Sequence, residues 1–376
     1  MYWLIIVACF LFFGGFQKKA NTYYYWGLLL LFIVTAFRHP ALGGTDNMVY
    51  YQLFQDIPTL RDVFNYESEY RIGYLLFVST LKTLSDSYIF FQCFYTVVCF
   101  IMLNKIIQML ELNGKEKCLY LFAIWCSFSF IWDFWVLYRQ NLANLIFALL
   151  LLYYIRKRDK LNGIKRATIL TLAIVIPNLF HSSAIFNVII LFFYFLLPKG
   201  DKPNKRLIWT ILGSIVMFFV GIIFWSYLES MVVSVDDRYM GYFETGGISL
   251  NIINYLLKIA FFWLYCINYN HLNYKYKREM LDIHTLYLLI GSINVGIVGR
   301  VASYYSFGGY VARSFVGSYK KPMNILVPIF FIAMMIIFIR SLFVMSAGLN
   351  THFMFFWQDV NNLPSDYVNF WRGAQL

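Results

Sequence analysis

The chain has 376 residues, of which 60% are hydrophobic and only 13% charged, and its mean hydropathy is +0.62. These values exclude an ordinary soluble domain and predict an all-α, polytopic integral membrane protein forming a single domain over residues 1–376. The formal charge of +12 does not call for nucleic acid, because Lys and Arg cluster in short loops beside apolar runs, where positive-inside topology accounts for them.

A spanning helix needs about 20 mostly apolar residues. The first run, Met1 to Phe16, has no basic segment before it and no small-residue cleavage site after it, so it reads as a retained helix rather than a signal peptide. Further runs follow at Tyr23 to Phe37, Tyr88 to Leu103, Cys118 to Trp135, Leu137 to Ile155, Ala167 to Phe180, Ser183 to Leu197, Leu207 to Leu228, Leu250 to Asn268, His284 to Gly299 and Met323 to Met345. That is about eleven spans. Arg71 to Leu84 is a doubtful twelfth, short and carrying Lys82. If it spans, Lys18 and Lys19 lie outside. If it is a re-entrant or short helical segment buried against protein, the two lysines are inside and residues 38–87 form the first large external loop, the arrangement we favour. The linkers at Arg156 to Arg166 and Pro198 to Arg206 are strongly basic and read as cytoplasmic, whereas residues 229–247 carry four acids and one arginine and read as a second external loop.

The six cysteines lie mostly inside apolar runs without CxxC or Cys/His spacing, so neither a disulfide framework nor a metal site is expected, and no cofactor. Ionisable residues at membrane depth are costly and therefore functional candidates. In "RHPALGGTDNMVYYQLF", Asp46 and Tyr50 are four apart and share a face if a helix starts there, although a lone aspartate after Gly-Thr also suits an N-cap. In "LYRQNLANL", Arg139 opens a helix just after Asp133, where snorkelling would also explain it. His181 in "IPNLFHSSAIF" follows a proline expected to bend the helix, and Arg300 and Tyr304 follow a span four residues apart. Counted from the basic linkers, Arg139, His181 and Arg300 emerge on the external face, and Asp46 joins them in the re-entrant arrangement. Two groups able to take a proton beside guanidinium forks suited to phosphate form a transferase-like set.

These motifs, in order, resemble the EpsG family of bacterial polysaccharide polymerases, which is related to the Wzy O-antigen and capsule polymerases. The likeness rests on Arg38 followed by Gly44, Asp46 and Tyr50, then "YRIGYLLF", Arg139 with Gln140, "HSSA" at His181 to Ala184, and Arg300 with Tyr304. Family members often carry an acid two residues before the glycine, where this chain has Arg71; Glu69 is nearby but out of register. The resemblance implies a glycosyltransferase of the bacterial inner membrane that joins undecaprenyl-diphosphate-linked oligosaccharide units at the outer face. Asp46 and His181 would then compete for the role of catalytic base. Arg38, Tyr50, Glu69, Arg139, Arg300 and Tyr304 would bind substrate, with no metal, and a flippase and a chain-length regulator would be the protein partners. The rival readings are a flippase or other transporter, an O-antigen ligase, and a membrane acyltransferase using His181.

Overall fold

The computed structural model describes residues 2–40, 44–126, 130, 132–198, 203–223, 266, 269, 275–288, 332, 335, 336, 339 and 354–358. Among the described residues it is all-helical, without a strand. We number the α-helices α1 (Tyr2–Gly15), α2 (Ala20–Ala36), α3 (Gly44–Asp56), α4 (Ile72–Leu84), α5 (Tyr88–Met109), α6 (Gly114–Cys126), α7 (Tyr138–Lys157), α8 (Gly163–Phe180), α9 (Asn187–Leu196), α10 (Pro203–Ile223) and α11 (Lys275–Leu288). Two of them, α5 and α8, are apolar and long enough to cross a membrane. The expected loop residues 229–247, the runs Leu250 to Asn268 and Met323 to Met345, and the candidates Arg300 and Tyr304 lie largely or wholly outside the described residues.

Local chemistry explains several boundaries. Ser87 caps α5 by accepting from the Phe90 N–H at 3.4 Å. Before α6, Asn113 Oδ1 accepts from the Glu116 N–H while Glu116 Oε2 accepts from the Asn113 N–H, both at 2.9 Å, a reciprocal capping box. Asn162 caps the start of α8 through the Lys165 N–H. Pro177 lies within α8, three residues before its end. Residues 284–288 of the run expected from His284 belong to α11, which starts at Lys275 and buries two acids of this charged stretch against arginines; the rest of that run lies outside the described residues. Likewise the run Cys118 to Trp135 overlaps the end of α6 and a π-helical turn at Trp132–Val136.

The chain forms two compact units. The first comprises Met1–Ile146, Leu179–His181 and Arg313–Leu376. Within it α2 and α5 lie antiparallel: the Tyr24 hydroxyl donates to Asn104 Oδ1 at 2.7 Å near one end, Phe32 meets Phe100 midway, and Gln92 Nε2 donates to Ala36 O at 2.9 Å near the other. The chain from Arg38 to Ser87, including α3 and α4, therefore leaves and returns at the same end. A lone crossing by α4 would have made α2 and α5 parallel. The opposite end is rich in lysine: Lys115 stands over the Phe16 ring at 4.6 Å, Lys117 reaches Asn21, and the turn holding Lys18 and Lys19 precedes α2. There Gly114 sits so close to Asn21 that a Cβ would lie 2.7 Å from its main-chain nitrogen.

The second unit comprises Phe147–Asn178 and Ser182–Ala312. Among its described residues are a buried and a partly buried ion pair. Arg158 holds Glu279 with two parallel bonds of 2.6 and 2.7 Å, and the Tyr194 hydroxyl donates to the same carboxylate. Arg206 donates to Asp282, which Tyr269 also approaches, and to Pro198 O at 3.0 Å. These pairs tie the basic linkers themselves to α11, and charge composition alone gave no sign of them.

Candidate functional site

The end of the first unit opposite the lysines gathers most of the candidates. Its base is Arg38, which has no exposed surface. Nη1 donates to Thr35 O at 2.8 Å, and Nη2 faces Trp135 O at 3.0 Å, Asn47 Oδ1 at 3.5 Å and the Tyr138 hydroxyl. Its main-chain oxygen accepts from Gln92 at 2.8 Å, and its strand-like backbone bridges Phe355 antiparallel, with the His39 N–H donating to Met354 O at 2.7 Å. The short aromatic stretch 354–358 thus packs on the opening loop, with Phe356 tilted against Phe37. Buried His39 stays neutral: burial pushes its imidazole down from the usual 6.5 to about 4.

Above this base, α3 does start at Gly44, putting Asp46 in its first turn and Tyr50 one turn later. Tyr50 is buried and stacks on Tyr138 with ring centres 5.0 Å apart, and Tyr138 stacks in turn on Tyr95 at 4.2 Å. Arg139, next in the chain, hydrogen-bonds to the Tyr50 hydroxyl and lies 4.3 Å from the ring centre of Tyr70. Its buried Nε has no hydrogen-bond partner among the described residues. An unmet charged N–H in a partly dry setting is a ready donor to an anion. Tyr70 is the junction of the cluster. Burial raises its phenol pKa, Arg139 pulls it down, and Tyr50 and Asp46 push it up again, so Asp46 and Arg139 both lie within electrostatic reach of one ring.

Glu69, beside Tyr70, is exposed. Gly73, in the first turn of α4, abuts the end of α8 so tightly that a Cβ there would lie 2.8 Å from Leu179 O, which brings partly buried His181, two residues on, to the α4 side of this unit. Arg300 and Tyr304 lie outside the described residues. Tyr70, Tyr74 and Tyr138 complete the cluster and were not candidates. All three lie inside quoted motifs, but only packing reveals that the rings of Tyr70 and Tyr138 meet arginines and that Tyr74 packs on Tyr50 and Tyr70. Among the described residues no three of His, Cys, Asp and Glu gather as a metal-ligand set.

No curated protein and no solved structure matches the chain. The EpsG family profile matches residues 21–357, most of the chain, and that span contains every described candidate. The chain therefore belongs to the EpsG family, which assigns it to polysaccharide biosynthesis.

Proposed function

We propose that this protein is a polysaccharide polymerase of the bacterial cytoplasmic membrane, joining oligosaccharide repeat units carried on undecaprenyl diphosphate at the outer face. The observation that carries the reading is the packing of Tyr50 and Tyr70 about Arg139, with Asp46 within electrostatic reach of Tyr70, at the end of its unit opposite Lys18, Lys19, Lys115 and Lys117. Lysine-rich ends face the cytoplasm, so the cluster faces outward. Many large apolar side chains are exposed, among them Ile101, Ile164, Phe192, Leu196 and Phe219, which suits lipid as their solvent and a multi-pass arrangement.

A sugar hydroxyl of one unit attacks the anomeric carbon of the other, the bond to the diphosphate breaks, and the hydroxyl proton goes to a base. Asp46, within electrostatic reach of Tyr70, is one candidate for that base, and His181 is the alternative. The leaving diphosphate gains negative charge, and Arg139 offers a preorganised guanidinium for it. Tyrosine faces are good stacking surfaces for sugar rings.

The test is the glycan of a strain lacking this protein. Single repeat units on carrier or final acceptor are expected, because flipping and ligation continue. An unchanged long-chain ladder would overturn the reading, and accumulation of units on the cytoplasmic leaflet would make the protein a flippase instead.

A further inference from the structure

We propose that Arg38 is a positioning residue that sets both halves of the candidate site at once, by holding the chain neighbour of each. The inference rests on the polymerase reading for its role, but its geometry can be tested separately. Asn47 directly follows Asp46. Its Oδ1 faces Arg38 Nη2 at 3.5 Å and accepts from the Tyr88 hydroxyl at 3.1 Å, while its amide donates to Pro40 O. Tyr138 directly precedes Arg139. Its hydroxyl accepts from the same Nη2, and its ring is stacked between Tyr50 and Tyr95. One buried nitrogen thus faces the residue after the candidate base and the residue before the candidate diphosphate arginine.

Arg38 lies beyond the reach of a ligand, with no exposed surface. Among the described residues no carboxylate pairs with it; carbonyl oxygens and the faces of Trp135 and Tyr138, at 5.7 and 5.4 Å, balance its charge. A planar fork can serve acceptors on α2, α3 and the α7 entrance together, which the single ammonium of lysine cannot.

The experiment uses the full-length protein and lipid-linked repeat units extracted from the deletion strain. Arg38→Lys should lower kcat per folded molecule by roughly 10- to 100-fold while KM stays within about twofold. Tyr138→Phe removes the hydroxyl that meets Arg38 and Tyr88 and keeps the ring stack, and its folded fraction is measured alongside. It should lower kcat in the same sense, and Arg38→Lys added to it should cost less than it does alone. A raised KM with kcat kept would make Arg38 a substrate contact and overturn the proposal, as would unchanged kcat in both variants.

An activity-free readout separates this from failure of the polymerase reading. Spin labels at exposed Val49 on α3 and Phe94 on α5, in a background without native cysteines, should give a narrow distance distribution that broadens in Arg38→Lys and Tyr138→Phe. An unchanged distribution overturns the positioning role whether or not the protein polymerises.

Discussion

The guanidinium of Arg139 stands 4.3 Å from the ring centre of Tyr70, so a helix-end cation is fixed by an aromatic from a loop about seventy residues earlier. A snorkelling arginine would extend toward the membrane surface and would not be held between tyrosines. In this setting Arg139→Lys keeps the charge and loses the fork. We expect it to lower polymer formation by about 10² to 10³, the usual effect of removing a donor to a developing oxyanion. Glycan laddering, with protein level measured alongside, checks this; a near-normal ladder at normal expression would remove Arg139 from the chemistry.

The antiparallel pairing of α2 and α5 makes a topological prediction. A cysteine at exposed Ser68, in a cysteine-free background, should react with an impermeant thiol reagent on intact cells, whereas one at Gln17 should react only after the cells are opened. Reaction of both from outside would mean that the lysine turn is not cytoplasmic.

Buried His39 links stability to acidity. Its imidazole titrates at about 4 when folded against 6.5 ordinarily, so between those values the unfolded chain binds the proton and the folded chain does not. Its contribution is therefore complete above 6.5 and is lost as the pH falls toward 4. The unfolding midpoint in detergent should drop across that window, and His39→Gln should flatten the drop. An identical pH profile in the variant would show that another group controls it.

The Arg206–Asp282 pair sets up a two-step stability test. Asp282→Leu leaves a buried guanidinium uncompensated and should cost about 3 to 5 kcal/mol, while Arg206→Met in addition should restore most of the loss. Melting temperatures decide the matter: a double variant no better than the single would mean that the pair is irreplaceable.

Many of the described helices were readable in advance because the length of an apolar run is a local feature. Asp46 and Tyr50 were placed on one face by helical spacing alone. Packing was not readable. Lys275 to Asp282 looks like a solvated linker, yet Glu279 and Asp282 are buried, because their partners Arg158 and Arg206 arrive from distant segments. Arg38 was a candidate for substrate contact because the family resemblance implied it. Nothing near it in the chain says that Trp135 and Tyr138 enclose it.

The antiparallel bridge between Arg38 and Phe355 has a consequence for biogenesis. The two residues are separated by about 300 positions, so at 5–20 residues per second the opening loop waits roughly 15 to 60 seconds on the ribosome before its partner is made. Throughout that interval the Phe37 and His39 backbone groups that pair with Phe356 and Met354 are without their native acceptor and donor. The loop that carries the candidate base thus stays unfinished until residues 354–356 are made, and a nascent chain halted before residue 354 would hold its early helices with that loop unpaired.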